Sequence, residues 1–306
     1  MKILILGKNG QVGQALQRVL PAYGEVIAIG SGIEGSWCGD LTQAEALRAT
    51  IRELAPHVIV NAGAYTAVDK AESEAELAMK INGLAPKILA EEAKRLNALL
   101  IHYSTDYVFD GLANHPLKET DIPNPQNVYG RTKLFGEQAI QETYHNYLIF
   151  RTCWVYADQG NNFIRTMLRL ARERDTLNVI DDQIGSPTSA NLIANITGKA
   201  IQHWQQHPDF SGIYHLSARG QTSWCAYARF ILTCAANDKT LLKVNAEQIN
   251  AIPSEAYPTP AKRPKFSLLD NAKLEKTLDV VMPDWHDEVA QACSNILHQT
   301  NIQHQT

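Results

Sequence analysis

Short runs of apolar residues recur along the first half of the chain, and stretches with helical spacing of apolar positions separate them. A run that is apolar at nearly every position is typical of a parallel strand buried on both faces. Strands that alternate with helices predict a right-handed parallel sheet with helices on both faces, an α/β fold of the doubly wound Rossmann type. The predicted strands span residues 2–6, 25–29, 58–60, 99–103 and 147–151.

Three glycines follow the first predicted strand and precede the first predicted helix. Gly7, Gly10 and Gly13 have the spacing Gly-x-x-Gly-x-x-Gly, which differs from the Gly-x-Gly-x-x-Gly of standard dinucleotide dehydrogenases. Glycines at such a turn permit a close approach of the backbone, and the helix N-terminus attracts a pyrophosphate. The segment predicts a nucleotide-binding loop, with an ordinary strand–helix turn as the alternative.

Helical spacing dominates the chain after residue 156, apart from a late strand predicted at residues 212–216 and a proline-containing, positively charged loop at residues 256–264. We therefore predict a dinucleotide-binding domain that comprises residues 1–156 and about 177–220. A smaller, mostly helical substrate-binding domain is predicted for residues from about 157 to 176 and from about 221 to 306.

Composition and charge exclude several classes of protein. The 306 residues are 45% hydrophobic and 20% charged, with a formal net charge of −4, which argues against general binding to nucleic acid. No apolar segment reaches the ~18 residues that a transmembrane helix needs, so no membrane association is predicted. The five cysteines are scattered and form no Cys-x-x-Cys, which favours reduced thiols in the cytoplasm over disulfides or a zinc site.

A tyrosine and a lysine are the first candidates for chemistry. Tyr129 and Lys133 are four residues apart in a stretch with helical spacing, so both side chains lie on one face of the predicted helix. A free tyrosine has a pKa near ~10, and a nearby ammonium group favours the phenolate and lowers that pKa. The pair therefore predicts a general acid tuned towards neutral pH, with an ordinary surface pair as the alternative.

Residues at the ends of the third and fourth predicted strands complete the candidate site. Residues 61–66 include several small side chains, which would let a cofactor lie across that edge of the sheet. Ser104 and Thr105 end the fourth strand, and because neighbouring strand residues face opposite ways, only one hydroxyl is expected to point into a site. His102, in the same strand, is predicted to be a packing residue of the core.

Together these features resemble the extended short-chain dehydrogenase/reductase family. The resemblance implies that Thr105, rather than Ser104, donates a hydrogen bond to a substrate carbonyl and that Tyr129 protonates its oxygen. It also implies that Lys133 tunes Tyr129 and holds the nicotinamide ribose of NADPH or NADH, which supplies the hydride. The predicted catalytic residues are therefore Thr105, Tyr129 and Lys133.

Within that family, residues 61–72, 104–111, 151–156 and 257–264 are similar to the dTDP-4-dehydrorhamnose reductases. The similarity implies reduction of the C4 ketone of a small nucleotide sugar, dTDP-4-dehydro-L-rhamnose, to dTDP-L-rhamnose, the sugar donor for bacterial cell-surface polysaccharide. It places in the cofactor site, beside Tyr129 and Lys133, the residues Gly7, Asn9, Gly10, Gln11, Val12, Gly13, Asp40, Leu41, Ala62, Ala64, Tyr65 and Thr66.

The same similarity defines a substrate site made of Thr105, Asp106, Tyr107, Trp154, Asn162 and Arg263. Trp154 would present its aromatic face to the sugar, and a core tryptophan is the alternative. Asn162 and Arg263 would supply the donors and positive charge that a pyrophosphate needs.

Several alternatives stay open at this point. Some members of the family use Mg²⁺ through acidic residues of the first helix, but residues 11–20 contain no aspartate or glutamate, so no metal ligand is predicted. Monomer and homodimer are both compatible with the sequence. The fold also serves non-catalytic regulators, such as the regulatory subunit of methionine adenosyltransferase, and other nucleotide-sugar reductases and epimerases. The complete set of Thr105, Tyr129 and Lys133 beside Trp154 favours an enzyme over a regulator. Retained cofactor would distinguish an epimerase, which keeps its cofactor, from a reductase, which must release it.

The end of the second predicted strand bears on cofactor preference. Residues 29–32 are Ile-Gly-Ser-Gly, with neither an acid nor an arginine. An acid at this place usually binds the ribose 2′-hydroxyl of NADH and repels the 2′-phosphate of NADPH. Its absence predicts kcat/KM values for the two cofactors within roughly a hundredfold of each other, which corresponds to a free-energy difference of about 2.7 kcal/mol.

Overall fold

The structure of the protein, a computed structural model, describes residues 1–236 and 242–303. Its strands are β1 (Lys2–Leu6), β2 (Glu25–Ile29), β3 (Ile33–Glu34), β4 (Trp37–Cys38), β5 (Val58–Asn61), β6 (Leu99–Thr105), β7 (Tyr147–Thr152), β8 (Val155–Tyr156), β9 (Leu177–Ile180), β10 (Ile184–Gly185), β11 (Thr188–Ser189), β12 (Gly212–His215), β13 (Thr222–Ser223) and β14 (Ile249–Ile252). Its α-helices are α1 (Gln11–Val19), α2 (Ala44–Leu54), α3 (Val68–Ala71), α4 (Ala75–Met79), α5 (Ala85–Leu96), α6 (Val128–Thr143), α7 (Phe163–Glu173), α8 (Ala190–Gln206), α9 (Trp224–Ala235), α10 (Ala272–Leu278) and α11 (Trp285–Gln303).

Six parallel strands form the central sheet in the order β2, β1, β5, β6, β7, β12. All the strands that the apolar runs predicted belong to it, which confirms the Rossmann-type parallel sheet. The chain runs outward from β1 to β2 and then returns to β5 on the other side of β1. The loops after β1 and β5 therefore diverge and leave a crevice at the C-terminal ends of the strands, where such folds bind ligands.

Helices pack their apolar sides on both faces of the sheet, which explains the uninterrupted apolar runs in its strands. Ile3 and Ile5 of β1 belong to a buried cluster with α1 and α8, whereas Leu4 and Leu6 belong to a second cluster with α2 and α5. All four side chains are completely buried. Because successive strand residues face opposite sides, only a run that is apolar throughout can satisfy both layers.

The first of these clusters continues without a break into the C-terminal part of the chain. It includes Ile164 of α7, Ile231 of α9 and Val289 of α11 together with the residues of the sheet. β9 pairs with β14, which joins residues 177–180 to residues 249–252. The division into two domains stays a prediction, and residues 237–241 and 304–306 of the predicted substrate-binding domain lie outside the described residues.

A buried ion pair joins α6 to β7. Arg151 Nη2 lies 2.6 Å from Glu137 Oε2, and Arg151 Nε donates to Glu137 Oε1 at 3.0 Å. Both side chains are at most 2% exposed, and the guanidinium group lies 5.1 Å from the ring centre of Phe109. The pair fixes α6, the helix of Tyr129 and Lys133, against the strand next to β6.

Candidate active site

A cavity of about 840 Å³ lies along the C-terminal ends of the central strands. Most of the predicted site residues line it: Gly7, Asn9, Gly10, Gln11, Val12, Asp40, Leu41, Ala62, Ala64, Thr66, Thr105, Asp106, Tyr107, Tyr129, Lys133 and Trp154. The predicted residues outside its wall are Gly13, Tyr65, Asn162 and Arg263. Lining residues that the sequence did not suggest as site residues include Val68, Ile81, Cys153, Asn161 and Trp224.

The glycine loop lies directly against the loop after β5. Gly7 has a φ of +85°, and a Cβ there would lie 2.5 Å from the backbone nitrogen of Gly63, so any other residue would push the two loops apart. Gly10 precedes α1, whose first turn carries no acidic residue. Gln11 Oε1 is buried and has no hydrogen-bond partner within the described parts of the chain. Close-approach glycines, a helix N-terminus without acids and an unsatisfied acceptor fit a bound dinucleotide.

Gly13 and Tyr65 support these loops from outside the cavity. A Cβ on Gly13 would lie 2.1 Å from the carbonyl oxygen of Gly7, so glycine is what lets α1 pack on the loop. The Tyr65 hydroxyl donates a hydrogen bond to Glu74 Oε2 at 2.6 Å, which raises the pKa of this tyrosine to about 12. Both residues therefore stabilise the segments that line the cavity.

Residues 29–32 contain no acid, but the structure brings Glu34 to the C-terminal end of β2, and the expected ratio of the two cofactors stays a prediction. After β2 the chain turns back in a short antiparallel pair, β3 with β4, which returns Glu34 to the strand end. Glu34 Oε1 accepts a hydrogen bond from the backbone N–H of Gly30 at 2.8 Å, and Glu34 Oε2 forms an ion pair with Lys8. The sequence did not reveal this acid because it reaches the strand end only through a turn.

α6 begins at the edge of the cavity. Asn127 caps it, since its Oδ1 accepts a hydrogen bond from the Gly130 N–H at 2.7 Å. A Cβ on Gly130 would lie 2.2 Å from the carbonyl oxygen of Tyr107, so this glycine lets α6 pack directly on the turn after β6. The rings of Tyr107 and Tyr129 meet edge-on at 5.7 Å. These contacts place the Tyr129 side chain beside the end of β6.

Lys133 is buried, and its amine is held by β6. Lys133 Nζ donates to the carbonyl oxygen of Tyr103 at 2.5 Å and lies 3.1 Å from His102 Nε2. Asn61 Nδ2 lies 3.0 Å from His102 Nδ1, and Asn61 Oδ1 accepts a hydrogen bond from the Gly63 N–H. This bond orients the Asn61 amide, so His102 Nδ1 is an acceptor and the neutral ring carries its proton on Nε2.

The arrangement disfavours the charged form of Lys133. Burial lowers the pKa of Lys133 to about 8, and the negative charge of Glu137 opposes this shift. Burial, followed by the charge of Lys133, also holds the pKa of His102 well below its usual value. The prediction of His102 as a buried packing residue is confirmed, and the structure adds its contact with Lys133.

The pKa of Tyr129 is raised to about 12, so the prediction that Lys133 lowers it towards neutral pH is wrong for this structure. Burial is the main cause, the hydroxyl of Thr105 opposes it, and the charge of Asp106 adds to it. The spacing argument failed because the amine of Lys133 is engaged with β6 and close to losing its charge. Tyr129 therefore keeps its proton throughout the neutral range, as a proton donor must.

Thr105 connects Tyr129 to a buried carboxyl group. Its hydroxyl donates to Asp106 Oδ1 at 3.0 Å, accepts from the Tyr107 N–H at 3.1 Å and shares a hydrogen bond with Tyr129. Ser104 also lines the cavity, but its hydroxyl oxygen is buried and has no hydrogen-bond partner within the described residues. Both residues belong to β6 and Thr105 keeps an extended backbone, so the expectation that only one of the two hydroxyls faces the site stays a prediction.

Asp106 should make stability depend on pH in a recognisable way. Burial raises the pKa of Asp106 to about 6, although the hydroxyls of Ser267 and Thr105 oppose the shift. The folded protein therefore binds this proton more tightly than the unfolded chain, and the contribution of Asp106 to the unfolding free energy falls as pH rises from about 4 to about 6. The full loss is about 3 kcal/mol. We expect the Asp106→Asn variant to lack this loss, because its side chain stays neutral.

Urea unfolding of both proteins at a series of pH values measures the effect. The unfolding free energy of wild type minus that of the variant should fall by about 2 kcal/mol between about pH 4 and pH 7, while the contributions of other carboxylates cancel. A difference that stays constant over this range would show that Asp106 titrates normally.

Trp154 lines the cavity and stacks on another tryptophan, Trp224. Trp154 has a φ of +47°. The centres of the Trp154 and Trp224 rings are 3.7 Å apart, with an interplanar angle of 12°. Gly185 gives it room, since a Cβ there would lie 2.7 Å from Trp154 Cε2. Both tryptophans line the cavity, as the predicted sugar-binding role of Trp154 requires. Trp224 is separated from Trp154 by a long stretch of chain, so the sequence carried no signal for this pair.

Asn162 and Arg263 lie behind the cavity wall. Asn162 caps α7 by accepting from the Arg165 N–H, and its amide donates to the carbonyl oxygen of Ala157. Arg263 Nη2 lies 2.8 Å from Asp69 Oδ2, which ties the 257–264 loop to α3. Arg263 also forms a hydrogen bond with the side chain of Tyr107, which lines the cavity. The predicted contact of Asn162 and Arg263 with substrate pyrophosphate stays a prediction.

Two further site types can be assessed within the described residues. No group of three or more His, Cys, Asp or Glu side chains there could hold a metal ion. None of the helices in residues 1–236 and 242–303 has both the length and the apolar character needed to span a membrane.

Comparison with known proteins places the chain in a family. The family of the RmlD substrate binding domain matches residues 1–298. The dTDP-4-dehydrorhamnose reductases of Salmonella typhimurium and Escherichia coli K12 are 46% and 47% identical to this chain, in each case over 99% of it and 100% of the relative.

Solved structures agree with this similarity. The dTDP-4-dehydrorhamnose reductase of Clostridium acetobutylicum has a TM-score of 0.87 at 38% identity and covers 96% of this chain and 99% of its own. The Bacillus anthracis enzyme, solved in complex with NADP, has a TM-score of 0.85 at 34% identity, over 95% of this chain and 97% of its own. A UDP-glucose 4-epimerase from Thermus thermophilus, at 16% identity and a TM-score of 0.79, shares the fold alone. The chain therefore belongs to the dTDP-4-dehydrorhamnose reductase family.

Proposed function

We propose that this protein is an NAD(P)H-dependent reductase that converts the C4 ketone of dTDP-4-dehydro-L-rhamnose to the hydroxyl of dTDP-L-rhamnose. The observation that carries the proposal is one continuous cavity that joins the glycine loop to Thr105 and Tyr129 and ends at Trp154. Membership of the family indicates the substrate, and the cavity indicates where the reduction would take place. The product would serve as sugar donor for cell-surface polysaccharide.

The residues around the glycine loop fit the dinucleotide. The backbone around Gly10 to Val12 would bind the pyrophosphate, residues 62–66 would lie along it, and Lys133 would hold the nicotinamide ribose. The bound cofactor supplies a hydride to C4. Asp40 and Leu41 line the cavity nearer to β2 and would contact the adenosine half.

Tyr129 completes the reduction by donating its hydroxyl proton to the oxygen of the former ketone. It enters the reaction protonated because its pKa is about 12. Thr105 would donate a hydrogen bond to the same oxygen, which requires its hydroxyl to turn from Asp106 to the substrate. After the step the tyrosinate must regain a proton. Lys133, one helical turn away with a pKa of about 8, is a group in this site that can exchange a proton near neutral pH.

Aromatic and polar groups at the far end would select the sugar. The stacked rings of Trp154 and Trp224 offer an apolar surface for one face of the deoxysugar. Asp106 and Tyr107 line the same cavity and would bind sugar hydroxyls. We propose further that the protein acts in the cytoplasm, where its five free cysteines stay reduced, as a monomer or a homodimer.

An absorbance assay tests the proposal. We expect purified protein, NADPH and enzymatically generated dTDP-4-dehydro-L-rhamnose to give loss of the reduced-cofactor absorbance, with one dTDP-L-rhamnose formed for each cofactor oxidised. Turnover with a different 4-keto sugar nucleotide, but not with this one, would retain the reductase and refute the substrate. Cofactor binding without turnover on any of them would point to a regulator, and tightly retained cofactor in the purified protein would point to an epimerase.

A further inference from the structure

The carboxylate of Glu34 lies in close contact with the position where a side chain of residue 30 would begin. A Cβ on Gly30 would lie 3.2 Å from Glu34 Oε1 and 2.9 Å from Asn9 Nδ2. The N–H of Gly30 also donates to this carboxylate. The glycine at the strand end and the acid four residues later therefore belong together, since the absent side chain makes room for the carboxylate.

This position lies next to the glycine loop. The N–H groups of Gly7 and Lys8 both donate to the carbonyl oxygen of Ile29, the last residue of β2. Ser31 and Asn9, the neighbours of the carboxylate, both line the cavity. Glu34 thus stands where doubly wound folds carry the acid that binds the adenosine ribose.

The carboxylate of Glu34 is negatively charged and has two partners, Lys8 and the N–H of Gly30. Its hydrogen bond with Lys8, followed by that with the Gly30 N–H, holds the pKa of Glu34 below its usual value. Both side chains are partly exposed, at 29% for Lys8 and 37% for Glu34, so either can release the other and meet a ligand. A carboxylate accepts hydrogen bonds from ribose hydroxyls and repels a phosphate, whereas an ammonium attracts the phosphate.

Building on the reductase proposed above, we propose that Glu34 and Lys8 together set the cofactor preference of this protein. Glu34 accepts hydrogen bonds from the 2′- and 3′-hydroxyls of the adenosine ribose of NADH. Lys8 binds the 2′-phosphate of NADPH, and it must leave Glu34 to do so. Because the two charges oppose each other, the wild-type protein accepts both cofactors.

Direct binding separates this inference from the activity. We would measure the Kd of NADH and of NADPH by calorimetry, without sugar substrate and at one salt concentration. Glu34→Gln should shift the ratio of the two Kd values towards NADPH by at least about tenfold, because the repulsion is gone and Lys8 is released. Lys8→Met should shift the ratio towards NADH. Glu25→Gln is the matched control, since Glu25 is exposed at the opposite end of β2 and should leave the ratio unchanged.

A rescue tests whether the acid at residue 34 replaces one at residue 30. Adding Gly30→Asp to Glu34→Ala, whose short side chain leaves room beside residue 30, should return the ratio to within about threefold of wild type, because it restores a carboxylate at the strand end. An unchanged ratio in Glu34→Gln, with both cofactors still bound, would overturn this inference and leave the proposed reductase standing. If the wild-type protein binds neither cofactor, both this inference and the proposed reductase are overturned.

Discussion

Replacing Tyr129 with phenylalanine should reduce kcat by about 10²–10⁴-fold, the usual contribution of a positioned general acid. The change removes one oxygen and preserves the ring, so the contact with Tyr107 and the packing of α6 persist. Cofactor affinity should therefore stay within about threefold of wild type, since no cofactor role is assigned to the hydroxyl proton. Steady-state kinetics at saturating cofactor, with a separate binding titration, measures both quantities.

A matched substitution elsewhere in the same region controls for the loss of a tyrosine hydroxyl. Tyr144 follows α6 at its far end and donates to Asn97 at 3.3 Å, outside the cavity. Tyr144→Phe should keep kcat close to wild type. If Tyr129→Phe binds cofactor normally and turns over as fast as Tyr144→Phe, Tyr129 does not donate the proton.

Replacing Glu137 with leucine should lower the unfolding free energy by about 3–5 kcal/mol, because Arg151 would keep a charge that is buried and unpaired. Glu137 is the counter-charge of that guanidinium, and both side chains are almost inaccessible to water. Urea unfolding at neutral pH measures the loss as a shift of the midpoint. The exposed pair Arg169–Glu173, with side chains more than half exposed, supplies the control: Glu173→Leu should cost less than about 1 kcal/mol.

A double variant distinguishes the unpaired charge from a general packing defect. Glu137→Leu combined with Arg151→Met removes both charges and keeps apolar volume, so it should recover most of the stability lost in the single variant. If the double variant is less stable than Glu137→Leu alone, the cost comes from packing and the argument from charge is wrong.

The sheet could be predicted from the sequence because burial on both faces dictates a simple pattern. Each of the strands from β1 to β7 that joins the central sheet contains a run of apolar residues, and no partner needs to be known to recognise it. The glycine loop was equally accessible, since Gly7 and Gly13 are required by close approach within one short segment. Features that depend only on residues close together in the chain can therefore be recognised from the sequence.

What the sequence could not provide were contacts between distant segments. The stack of Trp154 on Trp224 and the contact of His102 with Lys133 both join elements that meet only in the folded chain. The pKa of Tyr129 was mispredicted for the same reason, because spacing along a helix does not show which groups already hold the lysine. Asn162 illustrates a missed signal, since an asparagine directly before an amphipathic helix is also a typical N-cap.

The unbroken apolar cluster that runs from β1 through α7 into α9 and α11 restricts how the molecule can admit its substrate. Swinging one half of the protein about a hinge would expose part of this cluster to water at about 25 cal/mol for each Å² of apolar surface. Gating by wide domain closure is therefore unfavourable, unlike in proteins whose halves meet across a wet, polar cleft. We therefore expect entry and exit to need movement only of short segments outside that cluster, such as residues 160–161, which are exposed and line the cavity.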